Sequence, residues 1–226
     1  ATQLNDLLEE IWQYGLTVNP INATRYGIHD FDDKLADNSP AGLAAEDQQY
    51  RLFLSKLSQI DSKSLSRNEQ ITLLIQQEKL QNDIDQYHYH AHYMPLTSES
   101  GFQSRLAFLT RSMRFKSVGD YQNYLARLKQ FPSYFEQQIY WMKQGIASGF
   151  VQPKAVLIGF EDSISSFINT TPQESVFYGP FMQLDASSLS AQDKLALQQQ
   201  AAEVITKQVF PAYQQFYDFF VNEYVP

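Results

Sequence analysis

A histidine-rich segment, DQYHYHAHYMP at residues 85–95, carries the residue types that most clearly indicate chemistry. His88, His90 and His92 stand at alternate positions, and the whole chain has four histidines. On a helix, Asp85, His88 and His92 fall three and four residues apart, so one face carries a carboxylate and two imidazoles. Side chains of these types are ligands for Zn²⁺. One interpretation is therefore a non-catalytic metal site at Asp85, His88 and His92.

Two other interpretations of this segment remain open. On a strand, alternation would place His88, His90 and His92 together on one face and the tyrosines on the other. At a helix end, the histidines would be partly exposed residues of the last turns, where an imidazolium also offsets the negative end of the helix dipole. The apolar spacing upstream runs directly into the segment and favours a helix, which Pro95 disfavours beyond Met94.

The segment lacks the residue that a zinc peptidase requires. A peptidase helix carries two histidines four residues apart, with a glutamate directly after the first as the general base. His88 and His92 have this spacing, but Tyr89 occupies the position of the glutamate. A phenol, with an ordinary pKa of about 10, is a poor base at neutral pH. The sequence therefore contains no zinc-peptidase motif, and we predict no cofactor for residues 1–226.

Two further candidates are weaker. Tyr178 and Phe181 flank a Gly-Pro turn and could line a substrate cleft in a longer protein, although simple packing is the more ordinary explanation. His29 stands beside Asp30 in an acidic segment that is typical of a loop, and we interpret it as an isolated histidine without a chemical role.

Composition narrows the class of protein. Hydrophobic residues make up 43% of the 226 residues, so the chain can bury a core. The net charge of −8 and the absence of any Lys or Arg run argue against nucleic acid or an anionic membrane surface as partners. The absence of cysteine excludes disulfides, thiolate metal sites and cysteine nucleophiles.

Helix start signals recur along the chain, whereas strand signals are nearly absent. A serine three residues before an acidic residue predicts a capping box, in which the side chains and backbone of the two residues exchange hydrogen bonds. Such pairs are Ser66 with Glu69, Ser117 with Asp120, and Ser190 with Asp193. Prolines at candidate first turns are Pro40, Pro132 and Pro153. The sequence therefore predicts an all-α fold, an irregular multi-helix array of eight or more helices.

The last part of the chain predicts a long C-terminal helix that kinks where Pro211 removes a backbone hydrogen bond. Between Val209 and Tyr224, aromatic and aliphatic residues occupy nearly every side of this helix. A helix of this kind is normally buried all round. It is either the central helix of this domain or the surface for a later segment, and if left uncovered it would favour self-association. We predict a single helical domain over residues 1–226, with 1–94 and 95–226 as candidate sub-units.

Several motifs resemble those of one bacterial family. A leucine-rich helix ends in a Pro-Tyr element, and the following helix closes in a methionine-and-glycine pattern before a proline, here Phe131, Pro132, Tyr134, Met142, Gly145, Gly149 and Pro153. The segment TPQESVFYGPF resembles the family's short Pro-Glu-Ser element, and VFPAYQQFYDFFVNEYVP resembles its Pro-Ala-Tyr helix. Over nearly its whole length the chain is similar to the family known as domain of unknown function 885.

This resemblance implies that residues 1–226 are the smaller, N-terminal part of a longer protein. Members of the family resemble gluzincin-type zinc metallopeptidases and carry a His-Glu-x-x-His helix in their C-terminal part. They are often exported, many as lipoproteins held at the membrane by a lipid on an N-terminal cysteine. The resemblance therefore implies an exported protein, periplasmic or membrane-anchored, with zinc in the C-terminal part.

Three hypotheses about function follow. The leading one makes the chain the helical N-terminal part of a zinc metallopeptidase-like protein, inactive alone, whose partners are its own C-terminal part and a peptide substrate. The second makes it a non-enzymatic exported helical module that binds a ligand or partner. The third makes it a metal-binding protein centred on the histidines of residues 85–92.

Overall fold

The computed structural model describes residues 2–184 and 189–226, and across these ranges the chain is helical without a named strand. An isolated bridge joins Leu96 and Gly101. The α-helices are α1 (Thr2–Val18), α2 (Pro20–Arg25), α3 (Pro40–Ser58), α4 (Arg67–His88), α5 (Phe102–Leu106), α6 (Val118–Lys129), α7 (Phe131–Ser148), α8 (Asp162–Ser165), α9 (Gly179–Met182), α10 (Ala191–Val204) and α11 (Phe210–Phe219). The predicted all-α array of eight or more helices is confirmed.

Local capping starts the longer helices where the sequence predicts. The serine hydroxyl accepts a hydrogen bond from the backbone N–H three residues on, and the acidic side chain accepts one from the serine backbone. This reciprocal pair begins α4 at Ser66, α6 at Ser117 and α10 at Ser190. Proline occupies the first turn of α3 and of α7, where its missing N–H costs no hydrogen bond.

The prediction that Pro153 begins a helix is wrong. Only one 3₁₀ turn, Lys154–Val156, follows this proline. Leu157 is buried, and Gly159 then adopts a φ of 76°, a left-handed conformation that ends helical progress. Proline can begin a helix, but the residues after it decide whether a second turn forms.

The chain divides into two compact units, and the division is not simply sequential. The first unit contains residues 1–19 and 37–92, and the second contains residues 20–36 and 93–226. Compared with candidate sub-units 1–94 and 95–226, the main difference is that residues 20–36 pack with the second unit. This segment consists of α2 and the acidic loop that contains His29.

The first unit is built from α1, α3 and α4 around a small, mainly aliphatic core. The side chains that form this core are Leu4, Leu7, Phe53, Leu57, Leu65, Leu73 and Leu80. Ile71, Leu74 and Ile75 of α4 are exposed, with 41%, 58% and 63% of their surface accessible. The face of α4 that carries Leu73 and Leu80 therefore packs into the core of the first unit. The three exposed side chains form an apolar strip on the adjacent face.

The second unit has a larger core that is rich in aromatic side chains. α6, α7, α10 and α11 supply most of it, and the short helices and turns between residues 93 and 184 cover it. Phe131, Phe135, Tyr213 and Phe216 are fully buried. Phe135 meets Tyr213 and Phe216 edge-on, whereas Phe131 is tilted against Tyr213 and stacks on Phe135. Edge-on aromatic packing adds a favourable quadrupole interaction to the hydrophobic burial.

The C-terminal helix begins as α10, passes through a π-helical turn at Ile205–Val209, continues as α11 and ends in a second π turn at Phe220–Tyr224. The first π turn ends two residues before Pro211, so the change of helical pitch lies in the turn to which the proline cannot donate a hydrogen bond. Tyr213, Phe216 and Phe220 are buried inside the second unit. The closing helix is thus a central helix of this unit, and the uncovered aromatic surface that would favour self-association is not present on it. Self-association itself stays a prediction.

Candidate functional site

The histidine segment leaves the helix earlier than the metal interpretation requires. α4 ends at His88, Tyr89 is its C-cap, and His90 adopts a left-handed φ of 60°. His92 lies beyond this reversal, in the 3₁₀ turn Ala91–Tyr93. Asp85 and His88 keep their helical spacing of three on α4, but His92 does not continue that helical face.

The side chains of this segment contact neighbouring rings instead. His92 stacks on Tyr87 with ring centroids 5.2 Å apart, and His88 meets Tyr89 edge-on at 4.9 Å. Oδ1 of Asp85 accepts a hydrogen bond of 2.8 Å from Gln81 Nε2. Burial, with a smaller contribution from the charge of His90, lowers the pKa of His92 to about 4. His92 is therefore neutral at physiological pH.

Across residues 2–184 and 189–226, no group of three or more His, Cys, Asp or Glu side chains is arranged to hold a metal ion. Zn²⁺ sites generally need at least three protein ligands. A site at Asp85, His88 and His92 would thus require rearrangement of residues 89–92, and it stays a prediction.

We expect a calorimetric titration of the chain with Zn²⁺ to show no stoichiometric binding that depends on His88. The reason is that the turn at His90 separates His88 from His92. His88→Ala should therefore give the same heat as the wild type and as Glu78→Gln, an exposed carboxylate change on the same helix. Stoichiometric binding that is lost in His88→Ala but retained in Glu78→Gln would instead support the predicted metal site.

Tyr178 and Phe181, the predicted cleft residues, lie in the core of the second unit. Tyr178 ends the 3₁₀ turn Val176–Tyr178, and Phe181 belongs to α9. Phe181 is fully buried, with its ring 5.6 Å from that of Tyr121 and 6.0 Å from that of Tyr124. Burial raises the pKa of Tyr178. Their surroundings are those of packing residues, and a role at a substrate cleft stays a prediction for a longer protein.

A buried polar cluster in the second unit was missed by the sequence analysis. Arg127 of α6 is fully buried, and its guanidinium points at the segment 20–36. Nη2 donates to the Thr24 hydroxyl at 2.7 Å and lies 3.9 Å from Asp32 Oδ1. The Thr24 hydroxyl in turn lies 2.6 Å from Asp32 Oδ1, and His29 Nδ1 lies 2.8 Å from Asp32 Oδ2. The chain thus places a cation, a carboxylate, a hydroxyl and an imidazole in one hydrogen-bonded row.

The row stabilises the acidic loop and orients the imidazole. Asp32 is only 3% exposed, so its charge depends on these partners for compensation. Hydrogen bonding between Nδ1 and Asp32 orients the His29 ring. Two features of the sequence could have indicated this cluster. His29 and Asp32 are three residues apart, and the charged Arg127 interrupts the apolar positions Tyr124, Leu125 and Leu128.

A shallow groove of about 540 Å³ is lined by α7, α11 and the final π turn. Ile139 and Phe219, both largely buried, form its apolar floor. Lys143 Nζ bridges it with an ion pair of 3.0 Å to Glu223 Oε2. The other polar lining residues are Gln214, Gln215, Asp218 and Asn222. The groove is therefore apolar at its floor and polar at its rim.

Within the part of the chain that the structure describes, no helix combines the length and the apolar character needed to cross a bilayer.

Comparisons with known proteins bear on the fold. No curated protein matches the chain. A crystal structure named as the putative lipoprotein from Colwellia psychrerythraea aligns with a TM-score of 0.77 and 17% identity, covering 96% of this chain and 40% of that one. A structure named as a putative lipoprotein of unknown function from Shewanella oneidensis aligns with a TM-score of 0.59 and 17% identity, covering 98% and 38%. The chain therefore shares a fold with these proteins and spans about two fifths of their length.

A family model described as bacterial protein of unknown function (DUF885) matches residues 20–226. This range contains the whole second unit, with its Arg127 cluster and groove, and all of α3 and α4 from the first. Since the match extends over most of the sequence, the chain belongs to the DUF885 family of bacterial proteins.

Proposed function

We propose that this chain is the helical N-terminal part of a longer DUF885 protein, in which it forms a wall of the substrate cleft without supplying catalytic groups. The observation that carries the proposal is the alignment with the Colwellia structure, in which 96% of this chain matches only 40% of the other. The same helical fold thus occurs as part of a chain about two and a half times as long. The remaining part of such a protein has room for a separate catalytic domain.

The chemistry proposed for the longer protein is zinc-dependent peptide hydrolysis. It rests on the resemblance of the family to gluzincin-type peptidases. Because Tyr89 stands where a zinc-peptidase helix needs glutamate, this chain would not supply the catalytic motif. Zinc and the general base would come from the C-terminal part, and the partners of this chain would be that part and a peptide substrate. Residues 1–226 alone would be inactive.

We also propose an exported location, periplasmic or held at the membrane by an N-terminal lipid. Both aligned structures are named as putative lipoproteins, which supports this location for a chain of the same fold. Membrane attachment would then come from the lipid anchor.

The full-length protein, purified with Zn²⁺, should cleave members of a broad peptide library, because it joins the helical wall to the catalytic part. Residues 1–226 should leave the same library intact, and a chelator should abolish cleavage by the full-length protein while added Zn²⁺ restores it. Mass spectrometry of the library before and after incubation measures this. A full-length protein that stays inactive with zinc across the library would contradict the proposal.

The groove favours a second candidate, a non-enzymatic exported module that binds a ligand. Its floor at Ile139 and Phe219 offers apolar contact, and the amides of α11 offer hydrogen bonds. Its polar rim is already partly paired, since Gln214 donates to Asp218 and Lys143 pairs with Glu223. A ligand would have to replace these bonds, which is why this candidate stands second.

A further inference from the structure

A cluster of acidic and phenolic side chains spans the three helices of the first unit. Glu46 and Tyr50 lie one turn apart on α3, and the Tyr50 hydroxyl donates to Glu46 Oε1 at 2.5 Å. The ring of Tyr50 meets that of Tyr14 of α1 edge-on, with centroids 6.0 Å apart. Asp83 of α4 is close enough to act electrostatically on both Glu46 and Tyr50. Glu46, Tyr50 and Asp83 are each only partly exposed.

The surroundings of these carboxyls favour their protonated forms. Burial raises the pKa of Glu46, and the charge of Asp83 raises it further, against the lowering effect of the Tyr50 hydrogen bond. Burial also raises the pKa of Asp83, with Lys79 acting in the opposite direction. Burial and the neighbouring Glu46 raise the pKa of Tyr50, so its hydroxyl stays protonated and remains a donor.

The other charged groups around α3 do not neutralise the cluster, since most are paired with one another. From α1, Glu10 pairs with Lys56 of α3 at 2.9 Å. Within α3, Arg51 pairs with Asp47 at 2.8 Å. From α4, Lys79 acts on Asp83, while Asp85 and Tyr87 act on Arg51. The two basic side chains of α3, Arg51 and Lys56, are therefore engaged by other carboxylates, and Lys79 of α4 acts on Asp83.

We propose that Glu46, Tyr50 and Asp83 form a proton-sensitive latch that tightens the packing of α3 against α1 and α4 as the pH falls from neutral to mildly acidic. With the proton bound, the Glu46 carboxyl is neutral, so it no longer repels Asp83 and pays no cost for a charge in a half-buried site. The Tyr50 hydroxyl can still donate to its carbonyl oxygen. The latch is a property of this unit alone and does not depend on peptide hydrolysis.

The sign of the effect follows from linkage. A carboxyl whose pKa is raised in the folded state binds a proton more readily there than in the unfolded chain. Its stabilising contribution is fully present below the ordinary value of 4.5 for Glu46, and it is lost as the pH rises through the folded-state pKa. The first unit should thus open more readily at neutral pH than in mild acid.

Hydrogen exchange measured by mass spectrometry on the whole chain tests this directly. From pH 7.5 to 4.0, after correction for intrinsic exchange rates, amides of α3 and α4 should become several-fold better protected. In Glu46→Gln, which keeps an acceptor for Tyr50 but cannot ionise, protection at pH 7.5 should already equal that of the wild type at pH 4.0, where the Glu46 contribution is complete. Asp83→Asn should reduce the response, and Glu78→Gln, an exposed acid on α4, should respond as the wild type does.

An identical pH response in Glu46→Gln and in the wild type would overturn the proposal, as would protection that falls with acid. Carbon-13 NMR titration of the Glu46 carboxyl in the wild-type chain is a second measurement that needs no variant. A midpoint above 4.5 supports the latch, and a midpoint at or below 4.5 overturns it.

Discussion

Replacing Arg127 by methionine should lower the free energy of unfolding of the second unit by about 3 kcal/mol, near the low end of the range for losing one partner of a buried ion pair. Arg127 is fully buried and donates through Nε to the Lys34 carbonyl at 2.9 Å and through Nη2 to the Phe31 carbonyl at 3.0 Å. Methionine fills similar volume but donates nothing. The carbonyls and the carboxylate of Asp32, 3% exposed, would be left without the cation.

Two features of the cluster keep the expected loss of unfolding free energy near the low end of the range. Nη1 of Arg127 has no hydrogen-bond partner among the described residues, so the native guanidinium is not fully satisfied. Asp32 would also keep its hydrogen bonds from Thr24 and with His29. Burial already lowers the pKa of Arg127, although Asp32 and Asp33 oppose this.

Urea unfolding in a Trp12→Phe background would measure the loss, because Trp141 then reports on the second unit alone. The matched control is Arg25→Met in the exposed part of α2, for which a change within about 0.5 kcal/mol is expected. A loss of less than about 1 kcal/mol for Arg127→Met, a normal value for an unremarkable substitution, would show that the cluster does not hold the segment 20–36.

Tyr213→Ala should destabilise the second unit by about 3–5 kcal/mol, the usual cost of removing a buried aromatic ring. The ring is fully buried, with its centroid 4.8 Å from those of both Phe135 and Phe167. Its hydroxyl donates to the Gln103 carbonyl at 2.6 Å. Alanine would leave a cavity between these rings and an unsatisfied carbonyl as well.

Tyr213→Phe separates the two contributions. It keeps the ring and removes only the hydrogen bond, so the expected loss is about 1–2 kcal/mol. Gln215→Ala, on the exposed side of α11, should change stability by less than about 0.5 kcal/mol. The same urea measurement applies, and equal losses for the alanine and phenylalanine variants would contradict the central packing role of the ring.

The starts of helices could be predicted from the sequence because their causes are local. Ser66 and Glu69 satisfy each other's backbone N–H groups across three residues, and no distant contact is needed. Ser117 with Asp120 behaves in the same way. The end of α4 was less predictable, since it depends on the left-handed conformation of His90, which no residue type in the segment requires.

The Arg127 cluster could not be assembled from sequence. Its partners Lys34 and Pro20 lie 93 and 107 residues earlier in the chain. Within the segment 20–36, the contacts of Thr24 with Pro20 and with Asp32 span four and eight residues. The most local contact joins His29 to Asp32, at a spacing of three. That pair was visible in the sequence, but its chemical meaning depends on the burial of Asp32.

The sequence by itself determined the all-α class, the capped starts of the long helices and the absence of a zinc-peptidase motif, because periodicity, capping and motif spacing act within a few residues. Only the tertiary structure decided that His88 and His92 lie on opposite sides of a backbone reversal, that Tyr178 and Phe181 are core residues, and that Arg127, Asp32 and His29 form one row. Burial and long-range partners set these outcomes, and both depend on how distant segments pack together.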